Sequence, residues 1–407
     1  AKVTIVNRGG YKHPVTGNMR RGIDYKNSRQ RILFLEDGEN NFVRKEDMND
    51  YLTGLFEFAT EVLLDAGIRI DLLVSHYWDA GKLGFLFQDK LRENGRRRDV
   101  EHVWVPHSLG ALKKKQVDSS RWEELRIDER IETEKEILRK VDQVGYTSYD
   151  IRESLRQDYS YEPQLFLPPS VDTKRFHPRD MPEDEEIWDF LESKTNLSAE
   201  EIQKRHIITE ISRTDYTKRK NVLLEAFARV KNEFDNALLI VAVDRDREEI
   251  AGELDRIVKQ NGIEDDVIMV GSVFDELPYI YAVSCIYCTP SVMEGFGMSV
   301  QEAAATGVPA VASDLVPFAR EYLAGDNTEE MQCERSRHPV RKGEAAMICH
   351  ADDTDGFTEA LLYLLRHRDI REKMADKAFD ITIPYFTWER RIRDFLKDVK
   401  ITVNEHR

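Results

Sequence analysis

Between Cys285 and Ser313 the residue types change in an order that suits an anion. An apolar run ends at Pro290, the loop Glu294-Gly295-Phe296-Gly297 follows, and a helix of small residues is expected over Met298–Thr306. A strand, a glycine turn and a helix start leave the N–H groups of Gly297, Met298 and Ser299 without intrahelical acceptors. The helix dipole adds positive potential at the same place, so a diphosphate is a natural ligand. Glu294 falls in the loop on the ligand side and Glu302 just over one turn into the helix. Ionised carboxylates there can each accept two hydrogen bonds from vicinal hydroxyls. Taken on spacing alone, Glu302 reads as well as a solvated first-turn carboxylate favoured by the dipole.

A second constellation lies in ISRTDYTKRKNVLLEAFARV (211–230), where a strand closes at Ser212-Arg213 and a cationic loop leads into an amphipathic helix. Arg213 and Lys220 can neutralise the charge that builds on a departing diphosphate. The same residues also read as a solvated basic loop. Elsewhere, His107 reads as a loop or capping histidine, and Asp79 as the N-cap of a helix beginning near Ala80. Arg130 reads as an exposed helix residue. Cys285 and Cys288 have the spacing of a redox or zinc pair, but they lie in the apolar run AVSCIYCTP, which reads as a buried strand.

The elements that must carry these residues form two series of short apolar runs alternating with helical patterns, the mark of open, mainly parallel α/β sheets. The first holds 3–6, 31–35, 70–76, 102–107 and 144–148, with helices over Tyr51–Ala66 and Arg121–Lys140. The second holds 206–212, 237–243, 267–271, 285–290, 309–313 and 345–350. Between them, 177–205 is acidic and without strand character, a linker or insertion. A final helix is expected after Pro384, capped by Thr387.

The 407 residues predict two or three domains. Sixty Lys and Arg against 76 Asp and Glu give a net charge of −16, which argues against a general nucleic-acid or membrane-surface binder. An anionic ligand therefore needs a local cluster of cations. The triplets Arg96–Arg98 and Lys113–Lys115 are too short to be nucleic-acid arms. No run approaches a membrane span and the first residues lack a signal-peptide pattern, so the chain reads as cytoplasmic.

Together, EGFGMSVQEAAATGVPAVAS and SRTDYTKRKN resemble the retaining, nucleotide-sugar-dependent glycosyltransferases of the GT-B type, the family that includes sucrose synthases and glycogen synthase relatives. The resemblance implies two Rossmann-like domains facing across a cleft that closes over the substrates, with a C-terminal helix returning toward the first domain. The implied limits are an acceptor domain over 1–176, the acidic linker over 177–205, a nucleotide-sugar domain over 206–380 and the crossover helix over 381–407. It further implies that Arg213 and Lys220 bind the donor diphosphate, Glu302 the ribose hydroxyls and Glu294 the transferred sugar, with Gly297, Met298 and Ser299 assisting. In relatives the lysine usually stands five residues after the arginine, which selects Lys218. The following Asn221 and the helix start favour Lys220, with Lys218 in reserve.

The stretches SHYWDAGKLG (75–84), PHSLGALKKK (106–115), RIETEKEIL (130–138) and LPPSVDTKRFHP (167–178) resemble sucrose-phosphate synthases. That likeness implies that His107 contacts the donor sugar and that Lys113 receives the acceptor phosphate. Arg152, Asp79 and Arg130 are its further acceptor-site candidates. Ser170 stands where relatives generally have glycine. Relatives also carry a strand, a Gly-Gly-Gln loop and a helix before the stretch that VTIVNRGG resembles. The expectation is thus of a missing N-terminal segment or a companion chain.

The expected function is transfer of a hexose, UDP-glucose being the first choice of donor, to a phosphorylated small sugar such as fructose 6-phosphate, without a metal or other cofactor. Mannosylfructose-phosphate or glycosylglycerate synthesis from GDP-mannose or another donor stays open. So do a phosphorylase on the same fold and a non-catalytic regulatory subunit.

Overall fold

In a computed structural model, which describes residues 2–13, 17–65, 70–93 and 100–399, the chain forms two compact units, Ala1–Leu167 and Pro168–Arg407. The triplet Arg96–Arg98 and the expected helix end at Ala66 lie outside the described residues.

The first unit holds β1 (Val3–Arg8), β2 (Gly22–Tyr25), β3 (Gln30–Leu35), β4 (Leu72–His76), β5 (Glu101–Val105), β6 (Gln143–Tyr146) and β7 (Leu165–Phe166). They pair as two sheets of order β1-β3-β2 and β4-β5-β6-β7, the second all parallel. The short β2 and β7 had no apolar run to announce them. Helical structure between β3 and β4 starts as a 3-10 turn at Lys45–Tyr51, becomes α-helix over Leu52–Ala59 and widens to a π-turn at Thr60–Asp65. Leu33 and Leu35 pack there with Leu52, Leu55, Phe87 and Leu91. The helix expected from Arg121 begins instead at Ile127, because Arg126 takes a left-handed φ of 46° that helical continuation forbids.

Helix Tyr77–Glu93 lies directly on β5. A Cβ on Gly81 would come within 2.7 Å of the indole nitrogen of Trp104 and 2.8 Å of Ile137. Trp104 is fully buried and donates its indole N–H to the Tyr77 carbonyl at 2.8 Å. This contact fixes where the chain leaves β4 and enters the helix.

The second unit holds β8 (His206–Glu210), β9 (Ala237–Ala242), β10 (Val267–Val270), β11 (Ile286–Thr289), β12 (Ala310–Ser313), β13 (Glu329–Met331), β14 (Val340–Lys342) and β15 (Ala346–Cys349). Their order is β10-β9-β8-β11-β12-β15-β14-β13, parallel from β10 to β15 and antiparallel beyond. The chain runs outward from β8 in one direction and then returns to continue from β11 in the other. The carboxyl ends of β8 and β11 therefore flank a topological switch point, where open α/β sheets leave a crevice. The polar hairpin β13–β14 was not foreseen.

The acidic stretch 177–205 contains helices Glu186–Glu192 and Ala199–Gln203, whose Ile187, Trp188, Leu191 and Ile202 join Ile207, Leu238 and Ile240 in the core. The closing helix, Trp388–Asp398, is capped by Thr387, whose hydroxyl accepts from the Arg390 N–H. Among the described residues no helix is long and apolar enough to cross a membrane.

Gly81→Ala should force Trp104 and Ile137 apart and lower stability by about 1–3 kcal/mol. Urea unfolding followed by tryptophan fluorescence measures this, and an unchanged midpoint would refute the close packing.

Candidate functional site

The loop leaving β8 carries three successive cations, and each meets a different carboxylate. Asp215 caps a 3-10 turn at Tyr216–Lys218, accepting from the Thr217 N–H at 2.9 Å. Lys218 is 5% exposed and places its ammonium 2.5 Å from Glu294 Oε1. Arg219 has a left-handed φ of 52°, which turns its side chain aside to Asp352. Lys220 opens helix Lys220–Lys231; its ammonium is buried on Glu210 and donates to the Ser212 carbonyl at 3.1 Å. The preference for Lys220 over Lys218 therefore does not fit this geometry. Lys220 is consumed in tying the two ends of the loop, whereas Lys218 reaches the loop of Glu294. Arg213 stays in the open, its side chain 84% exposed and 3.6 Å from Asp215.

On the β11 side, helix Met298–Ala305 starts after Gly297, whose φ of 103° and 2.8 Å approach to Val316 leave no room for a Cβ. Phe296 anchors the loop from below, its ring 5.3 Å from Phe318 and 6.0 Å from Phe386. With the loop held, Met298 and Ser299 form the first turn, where N–H groups are free of helical acceptors. Glu302 is not the solvated carboxylate of the alternative reading. Burial pushes its carboxyl up to about 7, with the Arg175 charge opposing.

Cys285 and Cys288 are free thiols in and beside β11, and burial raises both, Cys285 to about 11. Such thiols are inert. Among the described residues no group of three or more His, Cys, Asp or Glu is placed to hold a metal ion.

The first unit has its own site. A pocket is lined by Lys45, Glu46, Trp78, Lys113, Leu125, Arg126, Glu129 and Arg130, four cations against two carboxylates. Lys113 faces Glu46 at 3.4 Å and Arg126 pairs with Asp50 and Glu129. Arg130 is buried, not an exposed helix residue. It donates to Glu134 at 2.8 Å and to the Ser108 carbonyl at 2.7 Å and hydroxyl at 2.9 Å. Lys45 lies 3.3 Å from the Tyr77 ring centre. Burial lowers its ammonium to about 8, Asp79 opposing and Arg130 and Lys113 adding to the fall.

Asp79 sits inside the first turn of a helix that already starts at Tyr77, so it is not the N-cap, and its Oδ1 is buried without a hydrogen-bond partner among the described residues. Arg152 is not in the pocket wall; it pairs with Glu162 at 2.8 Å. Beside the pocket, His107 has a left-handed φ of 51° and its Nε2 lies 2.8 Å from His76 Nδ1. Burial, with His76 and Lys45 adding, lowers the His107 imidazole to about 4, so it is neutral at pH 7.

Sequence reasoning missed Lys45 and Arg126. Each sits in a polar, charge-rich stretch where no spacing separates it from ordinary surface residues.

Comparison with known proteins places these sites in context. Residues 193–380 match the family model for Glycosyl transferases group 1, so the chain carries a domain of that kind. The mannosylfructose-phosphate synthase of Agrobacterium fabrum is 28% identical over 310 residues, 71% of this chain and 63% of that protein. A probable sucrose-phosphate synthase of Thermosipho melanesiensis is 22% identical over 382 residues, 90% of this chain and 78% of that one. The chain thus spans less than two thirds of the first relative's own length. Among solved structures, the sucrose-phosphate synthase of Thermosynechococcus elongatus superposes with a TM-score of 0.74 at 20% identity, covering 98% of this chain and 88% of that one. The fold is GT-B, as the sequence resemblance implied.

Lys220→Met, which strands Glu210 as a buried unpaired charge, should cost about 3–5 kcal/mol of stability. Adding Glu210→Leu should recover most of it. Chemical denaturation of the single and double variants checks this, and a single variant as stable as the parent would contradict the buried pair.

Proposed function

We propose that the protein is a retaining hexosyltransferase that moves a hexose from a nucleoside diphosphate sugar to a phosphorylated small sugar. The observation that carries this reading is the pairing at the switch point of Lys218 with Glu294, just before the start of helix Met298–Ala305, with Arg213 exposed on the same loop as Lys218. A leaving diphosphate gathers negative charge, and fixed cations with free N–H groups lower its energy without solvent having to reorganise. Lys218 replaces Lys220 as the second donor cation. Glu294 accepts from hydroxyls of the transferred hexose, and Glu302, once ionised, accepts from the ribose hydroxyls.

The bond from the anomeric carbon to the diphosphate oxygen breaks, an acceptor hydroxyl oxygen bonds that carbon on the same face, and its proton leaves with the diphosphate. Fixed cations supply the charge stabilisation that a metal would otherwise give.

The pocket of Lys45, Lys113, Arg126 and Arg130 suits a phosphate monoester, which carries close to two negative charges at neutral pH. Lys supplies point charges and Arg a planar fork for the same group. Both relatives named above make phosphorylated disaccharides, as their names state, which supports a sugar phosphate as acceptor. UDP-glucose with fructose 6-phosphate is the first pair to test. GDP-mannose is the alternative donor.

Two outcomes are expected. Arg213→Ala and Lys218→Ala should each raise the barrier of the transfer step by about 2–4 kcal/mol, read as lost kcat in nucleoside diphosphate release. Parental kinetics in both variants would refute the donor site.

The second concerns pH. Lys45 is charged below its value of about 8 and neutral above it, and a bound phosphate favours the charged form. The KM for the phosphorylated acceptor should therefore be flat near pH 7 and climb by up to about tenfold per pH unit above 8. Lys45→Arg should flatten that climb. Persistence of the same climb in the arginine variant would remove Lys45 from the acceptor site.

A further inference from the structure

His76 ends β4 and His107 lies two residues beyond the end of β5, on neighbouring parallel strands in which His76 is paired with Val105. Both chains turn sharply there, since Tyr77 and His107 hold left-handed φ angles of 68° and 51°. That conformation is strained for a non-glycine residue, so it persists where other contacts impose it.

Those contacts are present. The Tyr77 carbonyl is held by the buried Trp104 indole, and the Ser108 carbonyl and hydroxyl by the buried Arg130. Between the two fixed turns, the rings of His76 and His107 sit 5.0 Å apart and His107 Nε2 meets His76 Nδ1 at 2.8 Å. The Tyr77 ring lies 4.9 Å from the His107 ring and carries the Lys45 ammonium 3.3 Å from its own centre. The charged and titratable groups facing His107 are thus His76, Tyr77 and Lys45, and Lys45 opposes a second positive charge on the imidazole.

We infer that His76 is a positioning residue: through the one hydrogen bond between its Nδ1 and Nε2 of His107, it fixes the ring plane of His107, couples the tautomers of the two rings and leaves Nδ1 of His107 as the nitrogen offered to a sugar hydroxyl. This rests on the transferase reading for the identity of that hydroxyl, but not for the histidine pair itself. A neutral imidazole has one donor and one acceptor nitrogen, so with Nε2 engaged only Nδ1 remains, an acceptor when Nε2 carries the proton and a donor when it does not. His107 has no other side-chain hydrogen bond among the described residues. Without His76 the ring would be free to turn, and only part of the population would present Nδ1 in the required plane. The loss would fall on turnover more than on binding.

The test compares His76→Phe, which keeps a ring and removes the nitrogens, with His76→Gln, which keeps a donor and an acceptor. Long-range proton–nitrogen NMR on histidine-labelled protein, with the His107 signals assigned from His107→Gln, reads the state of each His107 nitrogen directly. The expected result is a His107 Nε2 shifted by its hydrogen bond in the parent and in His76→Gln, and a solvent-like Nε2 in His76→Phe. Kinetics with UDP-glucose and fructose 6-phosphate should show kcat at least tenfold lower in His76→Phe, both KM values within about twofold, and rescue by glutamine.

An unchanged His107 Nε2 signal in His76→Phe overturns the inference, as does an undiminished kcat. If the parent turns over no donor and acceptor pair, the transferase reading fails, and the NMR comparison alone still upholds or overturns the histidine pair.

Discussion

The switch-point loop of the second unit depends on one buried charge pair, Lys220 on Glu210. Both groups are almost completely withdrawn from water, and the pair is repaid only because the ammonium also donates to the Ser212 carbonyl. Its effect is geometric. Glu210 is the last residue of β8 and Lys220 the first of the following helix, so the pair closes a short loop at its neck. Inside that closed loop Arg219 has to adopt a left-handed conformation, and the turn so made sends Lys218 and Lys220 to different carboxylates. Lys218 is thereby delivered to Glu294 and Arg213 stays exposed.

The first unit repeats the principle with different residues. Fully buried Glu134 accepts from the Gly110 N–H, the Tyr159 hydroxyl and Arg130, and Arg130 reaches on to Ser108. This network fixes the segment after β5 on which His107 and Lys113 ride. In both units a buried carboxylate fixes a cation that in turn holds a loop, Glu210 with Lys220 on Ser212 and Glu134 with Arg130 on Ser108. A net charge of −16 repels anions at long range, so an anionic ligand has to be held by local cations.

Much of the scaffold was legible in the sequence because burial on both faces of a parallel strand writes a continuous apolar run. Leu238, Leu239, Ile240 and Val241 are fully buried, and the same holds across β11 and β12, so these strands appeared near their observed limits. The Glu294 to Gly297 loop was legible for a related reason: the close approach of Val316 and the positive φ admit only glycine at 297. Strands that rest on pairing alone, such as β2 and β13, carry mixed polar residues and left no such mark.

What the sequence determined by itself was the α/β architecture and the glycine turn at the start of helix Met298–Ala305, since periodicity and glycine are local properties. The tertiary structure alone set which carboxylates Lys218 and Lys220 meet, paired Arg152 with Glu162 outside the pocket of the first unit, made Arg130 an interior clamp, and placed Lys45 beside Tyr77 and His76 beside His107. Each of those outcomes turns on which opposite charge or ring lies within about 3 Å in space. The partners lie from 10 to 76 residues away along the chain, most of them in loops: Glu294 for Lys218, Glu162 for Arg152, Tyr77 for Lys45 and His107 for His76.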